Sequence, residues 1–405
     1  MATIDKSLPN TMTEIEIPGE EEIVQAKEEA VEEVSSDGKT EIEMDEEGGA
    51  TINFDPGEVN PEGGEDHDAN LADFLEDNVL DPLASELMEK YTNYKESRQE
   101  WADSYREGLN LLGFKYITRT EPFRGAASVS HPVLAEAVTQ FQAQAYKELL
   151  PADGPVRTQI MGDANVAKEE QSKRVKDFMN YQIMDQMKEY EPEFDQMLFY
   201  LPLSGSTFKK VYYDDLLGRA VSKFIPAEDL VVPYSATSLE DAEAVIHVIR
   251  MSPNDLRKQQ INGFYKDIDL GEPPVQEDKL KQKELELEGI QSNGMEDMYT
   301  VLEMHVDVDL EGHEDVDPED GEPTGIKLPY IITIDEANSK VLSIRRNYAP
   351  EDPLKKKKDY FVHFKFLPGL GFYGLGLIHM IGGLTRTATV ALRQLLDAGT
   401  LANLP

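Results

Sequence analysis

Residues 360–405 constrain the fold most, because a strand pattern passes through a glycine-rich turn into a long helical pattern. From Phe361 to Phe366 the side chains follow a period of two, with Phe361, His363 and Lys365 on one face and Val362, Phe364 and Phe366 on the other, which is typical of a β-strand. Pro368 and the glycines after it end that strand. Apolar residues then recur every three or four positions and form one seam: Leu377, Ile381, Leu384, Ala388, Ala391, Leu395, Ala398 and Ala402. Large and small residues alternate along this seam, which predicts contact with another helix.

The composition of the N-terminal segment is a second constraint. Residues 1–70 contain 22 aspartates and glutamates against 3 lysines, and Phe54 is their single aromatic residue. Such a segment cannot bury enough apolar surface to offset the entropy lost on ordering. We therefore predict a disordered acidic tail over residues 1–72. We favour a simply solvated tail, and the alternative is a polyanion that mimics nucleic acid or docks a basic partner.

Helical periodicity dominates residues 73–200. A first helix is predicted to begin at Asp81-Pro82 and to keep one buried aromatic and aliphatic face as far as residue 113. A second is predicted over 130–150. A third is predicted over 165–190 and ended by Pro192, with these side chains directed inward: Val175, Phe178, Ile183 and Met187.

Strand periodicity dominates residues 201–370. Hairpins are predicted over 207–226 and 330–345, and further strands over 230–232, 244–250 and 302–310. A short helix after Ser252-Pro253 and a charged helix over 277–288 interrupt them. The predicted fold class is α+β, with long helices plus antiparallel β hairpins, a disordered N-terminal tail and a long C-terminal helix over 371–405.

Motifs for chemistry are weak or absent. The chain has no cysteine, and its seven histidines form no HExxH pattern. Gly369–Gly374 matches the dinucleotide fingerprint, but no second parallel strand follows, and we favour a glycine turn that lets the next helix swing. Asp307–Gly312 matches the first half of a calcium loop, yet Pro318 stands where the bidentate carboxylate belongs. We expect no enzymatic activity, no cofactor and no metal. The favoured interpretation of this stretch is an exposed acidic loop, and weak divalent binding by Asp307, Asp309, Asp315 and Asp317 is the alternative.

Charge and hydropathy limit the partners. The formal net charge of −40 disfavours tight binding to nucleic-acid backbone or anionic lipid, but not contact with DNA that slides past. Phe366–Thr385 carries no formal charge and is long enough to cross a bilayer. Pro368, six glycines and His379 favour a buried or inter-subunit segment there instead. The N-terminus lacks the basic start and apolar run of a secretion signal.

Three stretches resemble one protein family. GLGFYGLGLIHMIGGLTRTATVALRQLLDAGTLANLP, from Gly369, resembles the entry into the stem helix of tailed-bacteriophage portal proteins, the head-to-tail connectors, of the short-tailed type. EPFRGAASVSHPVLAEAVTQFQAQAYKELLPADGPVRTQI, residues 121–160, and PYIITIDEANSKVLSIRRNY, residues 329–348, resemble the same family. Together these blocks place most of the chain after about residue 75 within the resemblance.

The resemblance implies an assembly protein rather than an enzyme. Residues 73–370 would be the portal wing, helical over 73–200 and β-rich over 201–370, and 371–405 the start of the stem helix. Portal proteins form a homo-oligomeric ring of about twelve subunits at one capsid vertex of the virion, assembled in the host cytoplasm. The ring is the conduit for genome packaging and ejection. Its partners are terminase, capsid and scaffold proteins, head-completion or tail adaptor proteins, and double-stranded DNA passing without sequence specificity. The clip and second stem helix of the family do not occur in these residues, so we expect a truncated portal chain.

Four residues of the terminal helix are the candidate channel or subunit-interface residues. Leu384 and Leu395 belong to the seam, and Arg386 and Arg393, seven residues apart, share another face. The arginines would contact DNA or pair with acidic residues of an adjacent subunit. Two other classes stay open: a membrane-associated or other ring-forming assembly protein, and a nucleotide-using DNA-processing enzyme.

Overall fold

The computed structural model describes residues 67–113, 119–162, 165–214, 217–273, 279–288, 298–316, 323–369 and 371–403, and two strands before them. The chain divides into two units, Met1–Asp66 and His67–Pro405. In the first unit, β1 (Glu41–Met44) pairs antiparallel with β2 (Ala50–Asn53). Both strands lie within the predicted tail, whose other residues up to Asp66 are outside the described part of the chain.

The predicted tail extends too far towards its C-terminal end. Leu71 and Ala72 lie in a short 3-10 turn and are fully buried. The Asn70 side chain donates to the carbonyl of Leu342 and accepts from the amide of Ile344. A few apolar residues beside one asparagine therefore dock this stretch against a sheet edge, without any periodic pattern in the sequence to signal it.

The helices carry most of the N-terminal half of the second unit. In chain order they are α1 (Asp77–Ser97), α2 (Gln99–Leu109), α3 (Val133–Leu149), α4 (Val166–Tyr181), α5 (Tyr190–Ser204), α6 (Pro253–Ile261), α7 (Lys279–Glu288) and α8 (Leu377–Ala402). Leu87, Tyr91, Trp101 and Tyr105 of α1 and α2 are buried, which confirms that the aromatic stripe belongs to the core. The predicted cap of α6 is also confirmed, because the Ser252 side chain accepts from the Asp255 amide.

The predicted start of the first helix at Asp81-Pro82 is wrong. The helix begins at Asp77, and Pro82 lies inside it. Leu80 and Ala84, on either side of the proline, are buried in the main core. Packing of this turn therefore offsets the backbone hydrogen bond that the proline removes.

The predicted third helix is α4, which ends in a π turn over Gln182–Gln186 instead of continuing to residue 190. Pro192 does not end it but lies in the first turn of α5, a helix that was not predicted. Val175 and Phe178 of α4 are 44% and 60% exposed, so the prediction that they point inward is wrong. Periodicity alone does not distinguish a core helix from one with an exposed apolar face.

Two antiparallel sheets form the rest of the unit. The five-stranded sheet has the order β5 (Leu230–Val231), β6 (Ala244–Met251), β7 (Tyr299–Val308), β8 (Leu328–Asp335) and β9 (Lys340–Arg346). The three-stranded sheet has the order β10 (Phe361–Lys365), β3 (Ser206–Asp214) and β4 (Arg219–Pro226). Both predicted hairpins are confirmed, β3 with β4 and β8 with β9. The protein is therefore mixed helix and antiparallel sheet with a long C-terminal helix, as predicted.

A buried ion pair joins the two sheets. Lys210 of β3 lies 2.6 Å from both carboxylate oxygens of Glu303 on β7, and His305 lies 2.8 Å from the same carboxylate. Burial acts to raise the pKa of Glu303, but Lys210 and His305 outweigh it and hold that pKa well below its usual range. On the face of β7 that the sequence predicts to be acidic, Glu303 is thus paired with Lys210 of the other sheet.

Candidate assembly surface on the terminal helix

A glycine-rich segment fixes the start of α8 against the body of the unit. A Cβ atom at Gly374 would lie inside van der Waals distance of the Gly205 carbonyl oxygen, and one at Gly376 would meet the Leu203 carbonyl oxygen. Gly205 itself has a φ of 91°, which side chains of L-residues rarely allow. The glycines therefore permit a close approach of two backbones. This packing leaves no free hinge, so the hypothesis of a glycine turn that lets the helix swing is wrong.

Two aromatic residues between the glycines anchor the segment. Phe372 and Tyr373 are 0% and 2% exposed, and the Tyr373 ring stacks on Trp101 with centroids 4.6 Å apart. The Tyr373 hydroxyl accepts from Arg98 at 2.9 Å and donates to the Leu230 carbonyl at 2.8 Å. The strand–turn–helix run is consequently held by Arg98 between α1 and α2, by Trp101 of α2 and by the start of β5.

One face of α8 packs on this body. Its buried residues are Ile378, Gly382, Thr385 and Thr389, which recur every three or four positions. Ile378 belongs to a core cluster with residues of α2, α3 and α5. Backbone amide of Gly376 donates to Nδ1 of His379 at 3.1 Å and closes the first turn. Small residues on this face let the helix lie close to its neighbours.

A polar ladder continues the same face towards the C-terminus. Thr389, Arg393 and Asp397 stand at intervals of four and hold the extended strap formed by residues 126–131. Thr389 Oγ1 accepts from the His131 amide at 3.0 Å, and Asp397 accepts from the Ala127 amide at 2.6 Å. Arg393 Nε donates to the Val129 carbonyl at 2.7 Å, with a further bond to the Ser130 hydroxyl at 3.1 Å. Thr389 and Asp397 were not predicted as contact residues, although their spacing of four residues from Arg393 indicated a shared helix face.

The opposite side of α8 presents an apolar stripe to solvent. Leu384 and Leu395 are 69% and 71% exposed. The stripe formed with them by Ala391, Ala398 and Ala402 is exposed along its whole length. Leu377 and Ile381, the first residues of the predicted seam, pack instead against the core. The exposed part of the seam is therefore the candidate assembly surface.

The two predicted arginines do not act as a pair within the chain. They lie on one flank of the helix, as their spacing predicts. Arg393 is bound to the strap, whereas Arg386 is exposed and makes no hydrogen bond or ion pair with the described residues. Arg393 thus has an intramolecular role, whereas the Arg386 side chain is exposed to solvent.

The other candidate motifs find no support from their surroundings. The strand before Gly369–Gly374 pairs antiparallel with β3, and the protein's own backbone fills the space beside Gly374 and Gly376 that a pyrophosphate would need. Asp307 and Asp309 lie at the end of β7. Within the described residues, no group of three or more His, Asp or Glu side chains is placed to hold a metal ion. Asp317 lies outside those residues.

No helix of the described residues combines the length and the apolar character that a membrane span requires. The predicted stretch Phe366–Thr385 is split between a strand end, the glycine segment and the first turns of α8.

Comparison with known proteins does not identify a family for this chain. Neither a scan against models of known protein families nor a search of curated proteins gives a match.

Proposed function

We propose that this protein is the portal subunit of a tailed bacteriophage of the short-tailed type, and that it assembles into a ring at one capsid vertex. In this role the ring is the conduit for packaging and ejection and the docking site for terminase, capsid, scaffold and head-completion proteins. The observation that carries the proposal is the exposed apolar stripe of α8, with Leu384 and Leu395 at its centre. It lies within the stretch that most closely resembles a portal stem helix.

The packing between two of the resembling blocks supports the proposal. The strap of residues 126–131 belongs to the block 121–160, and α8 belongs to the C-terminal block. Three side chains of α8 bind the strap, and Ile378 of α8 joins one core cluster with Leu134 and Val138 of α3. These two blocks therefore pack together in the fold and are not scattered local matches.

An apolar stripe of this kind favours association over solvation. Leu384 and Leu395 remain mostly in water in the monomer, and burying one leucine side chain stabilises a contact by about 2 kcal/mol. Alternating alanines let a second helix approach closely, as in helix bundles. A ring repeats this contact once per subunit, so that a modest pairwise gain becomes a stable closed assembly.

The charge balance suits a conduit for DNA. Each phosphate that a protein neutralises adds a salt-dependent term to binding, and such binding would resist sliding. The chain has 79 acidic against 39 basic residues, and this net charge of −40 disfavours tight binding to the phosphate backbone. Arg386, exposed on a flank of α8 away from the stripe, is the cation of α8 placed for contact with DNA or with a neighbouring subunit.

The native mass of the purified protein tests the proposal. We expect light scattering to give a mass of about twelve subunits, and negative-stain images of the same peak to show rings. A protein that stays monomeric at all concentrations would count against a portal.

Substitutions on the stripe then test its role. Leu384→Asp with Leu395→Asp should abolish rings while leaving the circular dichroism spectrum of the monomer unchanged. The matched control is Val390→Asp, which also changes an exposed apolar residue, 45% exposed, but lies about 120–140° around the helix from the stripe. Equal loss of rings in both variants would show that general charge, not the stripe, governs assembly.

A further inference from the structure

The helix α4 is attached to the rest of the unit by polar contacts and buries none of its own side chains. Among the described helices and strands, it has extensive contact only with the π turn that follows it. Asn180 Oδ1 accepts from the Val156 amide at 2.9 Å, and the Ser172 hydroxyl donates to the Thr158 hydroxyl at 2.8 Å. Helices of this length gain most of their stability by packing one face, so we expect another surface to cover α4.

One side of α4 carries apolar side chains and cations but no acid. Val175, Phe178 and Met179 lie on this side, and Met179 is 42% exposed. Lys168 and Arg174 flank them, and Arg174 is exposed, with no hydrogen bond or ion pair from its side chain to the described residues. The three acids of the helix lie about 100° or more from the centre of this side: Glu169, Glu170 and Asp177. The uncovered face of α4 is therefore apolar and basic.

A groove between α3 and α5 has the complementary character. These two helices pack on each other, and the groove along them holds about 1090 Å³ of open space. Its small and aromatic lining residues are Ala143, Tyr146 and Pro192. Glu191 and Asp195, four residues apart on α5, add two carboxylates, and Lys147 is the one cation among the described lining residues. Glu191 accepts from the Tyr146 hydroxyl and Asp195 from Gln142 Nε2 at 2.8 Å, but neither pairs with a cation in the described part of the chain.

We propose that α4 of one subunit docks with its apolar, basic face in the α3–α5 groove of a second copy of this chain. In this contact Phe178 fills the apolar part of the groove, and Arg174 pairs with the carboxylates of α5. A chain with a net charge of −40 repels a second copy over most of its surface. A basic face that meets an acidic groove therefore selects one orientation of approach, and every copy supplies both halves of the contact.

The contact joins two different surfaces, so it is heterologous and can repeat from copy to copy until a ring closes. The groove of the same chain is not filled by α4, because the lining residues come from α3 and α5. Docking of α4 rests on the proposed assembly of the protein into a ring. It adds a second contact between neighbours to the apolar stripe of α8.

Cysteine cross-linking of the full chain tests this contact. The chain has no cysteine, so Gln171→Cys on α4 and Ala143→Cys in the groove introduce the only thiols of a double variant, both at exposed positions. A bis-maleimide reagent should convert the double variant into a series of covalent multimers on a denaturing gel, whereas each single variant should stay monomeric. In the control, Gln144→Cys replaces Ala143→Cys. Gln144 is exposed about 100° further around α3, outside the groove, and should give no multimers.

Substitution of the central aromatic residue tests the chemistry of the contact. In the double-cysteine variant, Phe178→Asp should reduce the cross-linked fraction about tenfold or more, because it removes an apolar ring and places an acid opposite acids. The matched control is Val166→Asp, which changes another exposed apolar residue of α4 about 120° around the helix from Phe178. It should leave the multimers unchanged, and circular dichroism checks that both variants fold.

The results also separate the α4 contact from the proposed portal function. Rings in light scattering without covalent multimers would overturn the α4 contact and leave the portal assignment standing, with α4 covered by another protein. Multimers in a protein that forms no rings would have the opposite meaning, and the absence of both would overturn both. Multimers from Gln171→Cys alone would indicate paired α4 helices, and a monomer with its two thiols linked would indicate that α4 folds onto its own groove. Either of these last results overturns the proposal.

Discussion

Single glycine positions determine where the terminal helix begins. Gly205 combines a positive φ with contact to the backbone of residues 374–376, so a side chain there meets both conformational strain and a steric clash. The atoms that the side chain would meet belong to the backbone of residues 374–376, and none is the end of a flexible side chain that could move aside. Close backbone packing at this position therefore depends on glycine alone.

Replacement of Gly205 should destabilise the protein strongly. We expect Gly205→Ala to lower the free energy of unfolding by roughly 3 kcal/mol, the range seen where backbone strain and overpacking combine. The control is Gly383→Ala in α8, where no atom lies within 4 Å of the added Cβ. That change should stabilise the helix by about 0.5–1 kcal/mol. Denaturant midpoints measure both effects, and a neutral Gly205→Ala would contradict the close packing.

Helices and strands differ in how far their patterns reveal them. The hairpins β3–β4 and β8–β9 were predicted because alternation and turn residues are local signals. The start of α1 was misplaced and α5 was missed, since a proline marks a helix start in one context and an interior position in another. Only tertiary packing separates these cases.

The candidate surface was predicted in part. Periodicity identified a continuous seam on α8, and its exposed residues Leu384 and Leu395 lie on that seam. The face that is actually buried contains Gly382, Thr385 and Thr389, which do not stand out by hydropathy. These residues are buried because they are small and because their partners lie more than two hundred residues earlier in the chain. No local sequence pattern could therefore indicate this face.

The contacts between α8 and the strap separate the roles of Arg386 and Arg393, because only Arg393 binds the strap. Arg393→Ala removes charge-assisted bonds to Val129 and Ser130 and should cost about 1–2 kcal/mol, with faster hydrogen exchange in residues 126–131. Arg386→Ala should change stability by less than about 0.5 kcal/mol, because the residue is exposed.

The two substitutions should also differ in their effect on the rings that we propose. If Arg386 contacts DNA or an adjacent subunit, its alanine variant will alter ring formation or packaging without an effect on monomer stability. A stability loss equal to that of Arg393→Ala would contradict the separation of roles.

At the scale of the whole molecule, buried histidines tie stability to pH. His247 of β6 lies within the five-stranded sheet, and His363 of β10 stacks on Phe208 with ring centroids 4.4 Å apart. Burial lowers the pKa of each of these histidines to about 3. Because the unfolded chain binds a proton at each site near pH 6.5, the folded state loses stability as pH falls from 6.5 towards 3. Above that window their contribution is fully present.

Substitution of one histidine isolates its share of this effect. His363→Gln should be less stable than the parent at neutral pH, yet the difference should shrink by about 1.4 kcal/mol per pH unit between about pH 6 and pH 4. Comparing variant with parent cancels the buried carboxyls, such as Glu228, whose raised pKa acts in the opposite direction. Free energies of unfolding from urea titrations at several pH values measure the slope.

The control keeps the titrating group and removes its neighbour. Ser206 Oγ lies 3.1 Å from Nε2 of His363 and accepts from the Gly374 amide at 2.7 Å. Ser206→Ala should therefore lower stability at every pH while its curve stays parallel to that of the parent. A His363→Gln curve that is also parallel would mean that the imidazole titrates equally in the folded and unfolded chains. That outcome would contradict the packing of His363. Its ring lies between Phe208 and Phe372, where a charged imidazole would have to form without solvent.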